Sequence, residues 1–151
     1  MVAISATVFM QESFAQDNII QSSQLLQSYF NIKNALVAGN ANGASASAEQ
    51  FVKTINDVDS KTIDDATRIA LLKDAMQISG TKNIQQQRDH FATLSTDMYA
   101  LVKEVKLNSV PIYYSYCPMR KSYWLSNDKV IKNPYFGNAM LTCGKVTETI
   151  Q

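Results

Sequence analysis

The stretch Ile84–Val105, IQQQRDHFATLSTDMYALVKEV, sets Ile84, Phe91, Met98 and Val105 seven residues apart, with Leu94 and Leu101 at the intervening positions. Apolar residues at three- and four-residue steps line one side of an α-helix, so the segment reads as an amphipathic helix with one buried stripe. The same period recurs toward the N-terminus. Ile63, Ala66, Ile69, Ala70, Leu72 and Met76 mark a helix ending near Gly80, with Asp57, Asp59, Asp64 and Asp65 gathered ahead of it. Those acids lack the ligand spacing and glycine of a calcium loop; they suit a helix N-terminus, where the dipole favours negative charge. Phe51, Val52, Ile55 and Val58 mark a shorter helix, with Ser47 and Gln50 at capping-box spacing before it. Leu25, Tyr29, Ile32 and Leu36, widened by Leu26, Phe30 and Val37, mark a first helix that Gly39-Asn40 ends. Four amphipathic segments with short polar loops predict a mainly α protein, an antiparallel four-helix bundle.

After Asn108 the composition changes. The tail, residues 110–151, holds five of the seven tyrosines, the only tryptophan, all three prolines and both cysteines. Val110–Tyr114 and Tyr123–Leu125 read as extended or short β runs, and Asn133-Pro134 and Gly137 as turn markers. The tail carries a formal charge of +3 and the rest of the chain −2, so a basic aromatic tail is expected to dock on an acidic helical body.

The whole chain has 151 residues, net charge +1, two cysteines and one histidine. Two cysteines exclude a disulfide framework or an all-cysteine zinc site, and a single histidine excludes an HExxH metalloprotease. The near-neutral balance argues against a nucleic-acid binder held by phosphate contacts. No nucleophile elbow, P-loop or dinucleotide fingerprint occurs, so an enzyme is not expected. Residues 1–15 are apolar up to Glu12 and end in Ser13-Phe14-Ala15, which reads as a signal-peptide remnant cleaved after Ala15, although the first lysine is Lys33. The alternative is an apolar leader that packs. Residues 16–151 then form one domain. No later apolar run reaches transmembrane length, so no membrane insertion of the mature chain is expected, and an exported, periplasmic location follows from the leader.

Two segments could carry chemistry, Cys117-Pro118-Met119 and Met140-Leu141-Thr142-Cys143. In an extended segment Cys117 and Met119 share one side, and in a helical turn Met140 and Cys143 do the same. Two thiolates with one or two thioethers form a soft site, selective for Cu(I) or Ag(I); zinc is the weaker fit because a fourth conventional ligand is missing. His90 flanks the core stripe of the last helix, where it is either a packing residue or the ligand that completes the site. Met76 and Met98, at helical core spacing, read as packing. The rival for the cysteines is a Cys117–Cys143 disulfide, which would close a loop of about 27 residues and contribute roughly 3–4 kcal/mol.

The tail order YYSYCPM, YWLS, NPYFG, MLTCG, with QRDHFATLS in the last helix, resembles a bacterial exported domain family of unknown function found alone or attached to CusB-like adaptors of heavy-metal efflux pumps. The resemblance implies a helical bundle, export and binding of copper or related soft metals. It matches Cys117, Met119, Met140 and Cys143 to the sulfur-bearing motifs and His90 to the last-helix histidine; Trp124, Tyr135, Phe136 and Gly137 match structural positions. No adaptor portion is read in these residues, so a direct place in a pump assembly is not expected. The expectation is an exported, non-enzymatic protein that binds Cu(I) for sequestration or for transfer to an efflux adaptor or metal chaperone. The alternative is an interaction module whose tail is pinned by the disulfide.

Overall fold

The computed structural model describes residues 9–105 and 107–151, with side chains from Ile20 onward, so most of the leader expected over residues 1–15 lies outside the described residues. Four helices come first: α1 Phe9–Val37, α2 Ala41–Asp57, α3 Asp65–Ser79 and α4 Ile84–Glu104. Three strands follow, β1 Ile112–Cys117, β2 Ser122–Ser126 and β3 Lys145–Ile150, with a 3-10 turn at Gly137–Ala139 before β3. The tail is thus a small antiparallel sheet, in keeping with its extended, aromatic sequence. No helix among the described residues is long and apolar enough to cross a membrane.

Helix ends follow from local chemistry. Gly39 takes φ +67°, a conformation that costs a side-chain-bearing residue energy, and the chain leaves α1 there. The Asn40 side chain then accepts from Gly43 N at 2.9 Å and caps α2. This moves the start of α2 ahead of the expected Ser47–Gln50 box: Ser47 lies within the helix, and Ala44, Ser45 and Ala48 are buried on it. Asp64 caps α3 by accepting from Thr67 N at 3.0 Å, as the acidic cluster led one to expect, and Asn83 caps α4.

Each helix packs on the next in sequence, and α4 also packs on β2. The core joins Leu25, Tyr29 and Leu36 to Phe51, Ile55, Leu71, Ile78, Phe91, Leu94 and Met98. In α3 the buried line is Leu71, Ala75 and Ile78; Ile69 and Met76, expected to pack, are 66% and 58% exposed. The short helix is apolar on more than one side, and its neighbours cover only one of them. Gln87, fully buried, donates to the carbonyls of Ala41 (2.9 Å), Ile78 (3.3 Å) and Thr81 (2.8 Å), so one amide closes the starts and ends of three helices together.

The sheet order is β2-β1-β3. β1 pairs with β2 from Tyr113↔Ser126 to Cys117↔Ser122, and with β3 from Ile112↔Ile150 to Tyr116↔Lys145. Between Tyr114↔Glu148 and Ser115↔Val146 the register shifts, which leaves Thr147 as an extra residue on β3; its hydroxyl bonds to Tyr114 O at 2.9 Å. Tyr29 ties sheet to helices. Its hydroxyl lies 2.7 Å from Ser95 Oγ and accepts from Leu125 N at 3.1 Å, while its ring stacks on Phe91 at 5.1 Å.

Candidate metal centre

Cys117 closes β1, and Cys143 precedes β3 by one residue, Gly144. Because Tyr116 pairs with Lys145, the β1–β3 ladder runs on toward Gly144 and brings the two cysteines to the same end of the sheet. Gly144 makes this approach possible. At φ +145° it leaves no room for a side chain, since a Cβ there would meet Trp124 Cη2 at 2.8 Å and Tyr116 O at 2.9 Å.

Both cysteines are free, and their side chains lie close enough for Cys117 to act on Cys143. Burial raises the Cys143 pKa above the ordinary thiol value, and the adjoining Cys117 raises it further, while the Met119 backbone N–H opposes both. The Arg120 N–H donates to Cys117 Sγ at 3.4 Å. A backbone N–H of the turn after β1 thus faces the Cys117 sulfur.

The surrounding residues fix the loop that carries Cys143. Asn133, fully buried, donates from Nδ2 to Cys143 O at 2.7 Å and accepts on Oδ1 from the N–H groups of Tyr135 (2.8 Å) and Phe136 (3.2 Å). Arg88 of α4 reaches the same loop, donating from Nε to Pro134 O at 2.9 Å and from Nη2 to Leu36 O at 3.0 Å. Tyr135 packs edge-on to Trp124 at 6.1 Å and donates its hydroxyl to Tyr123 O. On the other side Arg120 pairs with Asp89 of α4, anchoring the hairpin that carries Cys117.

Of the five expected ligands, the structure brings together Cys117 and Cys143. Met119 does not share an extended face with Cys117: residues 118–121 form a turn in which Lys121 N donates to Cys117 O at 2.8 Å and Lys121 takes φ +55°. The Met119 side chain is consequently 65% exposed. Met140 is half-buried; the Cys143 N–H donates to its carbonyl at 3.0 Å, so Met140–Cys143 is a single hydrogen-bonded turn in place of a helical one. His90 engages α3, its Nδ1 3.5 Å from Asp74 Oδ1. Met98 is buried as packing, whereas Met76 is not.

Chemically, two adjacent sulfurs fit a soft monovalent ion of low coordination number, with thioethers as further donors. No three His, Cys, Asp or Glu side chains converge among the described residues, so they assemble no four-ligand zinc site. Sequence reasoning missed Asn133, Arg88 and Arg120. The Asn-Pro pair signalled a turn but not that its side chain would hold Cys143, and charges in the second turn of α4 carry no pattern of their own.

Four helices followed by a three-stranded antiparallel sheet define a mainly helical domain with a sheet-borne thiol pair. The family described as a protein of unknown function (DUF3347) matches residues 25–110, and the chain belongs to that family. The matched stretch includes His90 and ends before β1, so both cysteines lie beyond it. No curated protein and no solved structure matches the chain.

Proposed function

We propose that the protein binds Cu(I), or Ag(I), between Cys117 and Cys143 as cargo, for sequestration or for transfer to an efflux adaptor or metal chaperone outside the cytoplasm. The observation that carries this reading is the pair of free cysteines that the β1–β3 ladder brings to one end of the sheet. Soft thiolates select Cu(I) over oxygen-loving cations, and Met140 and Met119 stand in the same two segments as neutral donors. The exposed Met119 thioether suits a first contact with an incoming ion, which the thiolates then hold. We further read the four helices as an antiparallel bundle on which the sheet docks, with export resting on the apolar leader and no chemical step catalysed.

A second reading rests on the same adjacency: the two thiols can oxidise to a disulfide, leaving a pinned interaction module. Anaerobic titration of the reduced protein with Cu(I) against a chelator of known affinity separates the two. Stoichiometric binding that is lost in Cys117→Ser and weakened in Met140→Leu supports the metal site. No competition with the chelator, together with a uniform loss of two protons in protein isolated under non-reducing conditions, establishes the disulfide instead.

A further inference from the structure

Lys33 on α1 is the one buried lysine among the described residues, 2% exposed, and no carboxylate pairs with it there. Its Nζ donates to Ser126 Oγ at 3.2 Å, and that oxygen, also buried, accepts a second bond from the Asp128 N–H at 3.1 Å. An ammonium group carries three donors and a hydroxyl one. Two N–H groups of Lys33 and the O–H of Ser126 therefore meet no acceptor among the described residues. The charges that act on Lys33 are those of Lys132 and Asp128, and Asp128 is already engaged, accepting from Lys132 Nζ at 3.3 Å and from the Val130 N–H at 2.9 Å. Two ammonium groups against one carboxylate leave a single positive charge, which burial makes costly. Beside the pair lies a cleft of about 160 Å³ lined by Gln27, Phe30 and Asn127; the Phe30 ring is 5.8 Å from Lys33 Nζ, and Asn127 follows Ser126 in the chain.

We propose that Lys33 Nζ and Ser126 Oγ, with Lys132 beside them, bind a small monovalent anion of the size of chloride. One such ion neutralises the cluster and accepts the unused N–H and O–H bonds, whereas a water molecule accepts bonds without cancelling the charge. An ion of roughly a water molecule's volume, about 30 Å³, is admitted by the cleft. Because α1 carries Lys33 and β2 ends at Ser126, the ion fastens the sheet to the helices. Burial lowers the Lys33 pKa to about 8, so the ion is held while the amine is protonated and leaves as the proton is lost; bound chloride in turn keeps the proton on. The site uses neither cysteine, so it stands or falls apart from the cuprous reading.

The test exchanges sodium chloride for sodium gluconate, a bulky anion, at constant ionic strength, and follows the Lys33 side chain through its titration by NMR of ¹³C-labelled lysine in the unaltered protein. Chloride should lower the proton dissociation constant of Lys33 about threefold or more relative to gluconate and leave the exposed lysines alike in the two salts. Broadening of the ³⁵Cl resonance by the protein should fade as Lys33 loses its proton, disappear in Lys33→Met or Lys33→Gln, and show an affinity at least about threefold weaker in Ser126→Ala. The same Lys33 titration in both salts overturns the proposal without any variant having to fold. So does chloride broadening that survives Lys33→Met or Lys33→Gln, which would place the ion on the exposed lysines instead.

Discussion

Cys143 holds its proton more tightly than an ordinary thiol because it is partly desolvated and lies beside Cys117. A metal must displace that proton, so Cu(I) affinity should rise with pH by about tenfold per unit for each proton released. Chelator competition at pH 6, 7 and 8 reads this slope; Cys143→Ser should lower it, and an unchanged slope would remove Cys143 from the site. Lys33 also has a displaced titration. Buried in α1 with its Nζ 3.2 Å from Ser126 Oγ, it has its pKa lowered to about 8, by burial first and then by Lys132. The unfolded chain keeps this proton up to its ordinary value of 10.5. Between those two values the unfolded state binds more protons, and stability rises with pH, by roughly 3 kcal/mol at most. Tyrosines and Cys143 pull the other way at the upper end, so the measurement is the difference between wild type and Lys33→Met in urea melts at pH 7.5 and 9.5. Lys33→Met should be the more stable at pH 7.5, with the gap narrowing at 9.5; parallel profiles would contradict the assignment.

At the scale of elements, much was legible and the exceptions have physical causes. The seven-residue spacing of Phe91 and Met98 identified α4 because a helix with one packed face must repeat its apolar residues at that interval, and both are buried. Met76 misled because periodicity marks an apolar side without saying which neighbour covers it. The CPM segment misled because proline and Lys121 reverse the chain just after Cys117, and a local pattern of three residues does not reveal that turn. The convergence of Cys117 with Cys143 was expected from chemistry alone; its geometric origin, β1 pairing with β3, is a long-range contact that no local motif encodes. Gln87 shows the same limit, since a buried amide serving carbonyls at the start of α2, the end of α3 and the loop after it leaves only a glutamine in the sequence. Gln87→Leu leaves those carbonyls without their donor and should cost about 2–4 kcal/mol in denaturant melts. A cost below about 1 kcal/mol would mean that water replaces the amide.

On the scale of the whole molecule, the sheet is part of the core rather than an appendage. Trp124, Leu125 and Tyr135 are buried with Tyr29 and Phe91 in one cluster, and Tyr29 bonds at once to α4 and to β2. Tyr29→Phe keeps the ring packing and deletes both bonds, leaving the Leu125 N–H unpaired; it should cost about 1–3 kcal/mol while unfolding stays a single transition for helix and sheet alike. Separate transitions in far-ultraviolet and tryptophan signals would show that the two parts fold independently. This unity bears on function. Asn133, Arg88 and Arg120 hold the two sulfur-bearing loops to a rigid helical body, so the distance between the sulfurs is set by the entire fold.

The extra residue at Thr147 acts on that distance like a vernier. In an unbroken register the β1–β3 ladder would continue as Ser115 with Thr147, and Cys117 would face Lys145 in place of Gly144. Cys143 would then trail by one further step, about 3.4 Å along the strand. Inserting one residue between Gly144 and Lys145 should thus leave the helices and the strand pairing in place and yet carry Cys143 one step farther from Cys117, which chelator competition with Cu(I) reads as weakened binding. A one-residue irregularity in an edge strand tunes the spacing of the two cysteines, which makes the length of β3, more than its side chains, the quantity that the proposed metal capture would depend on.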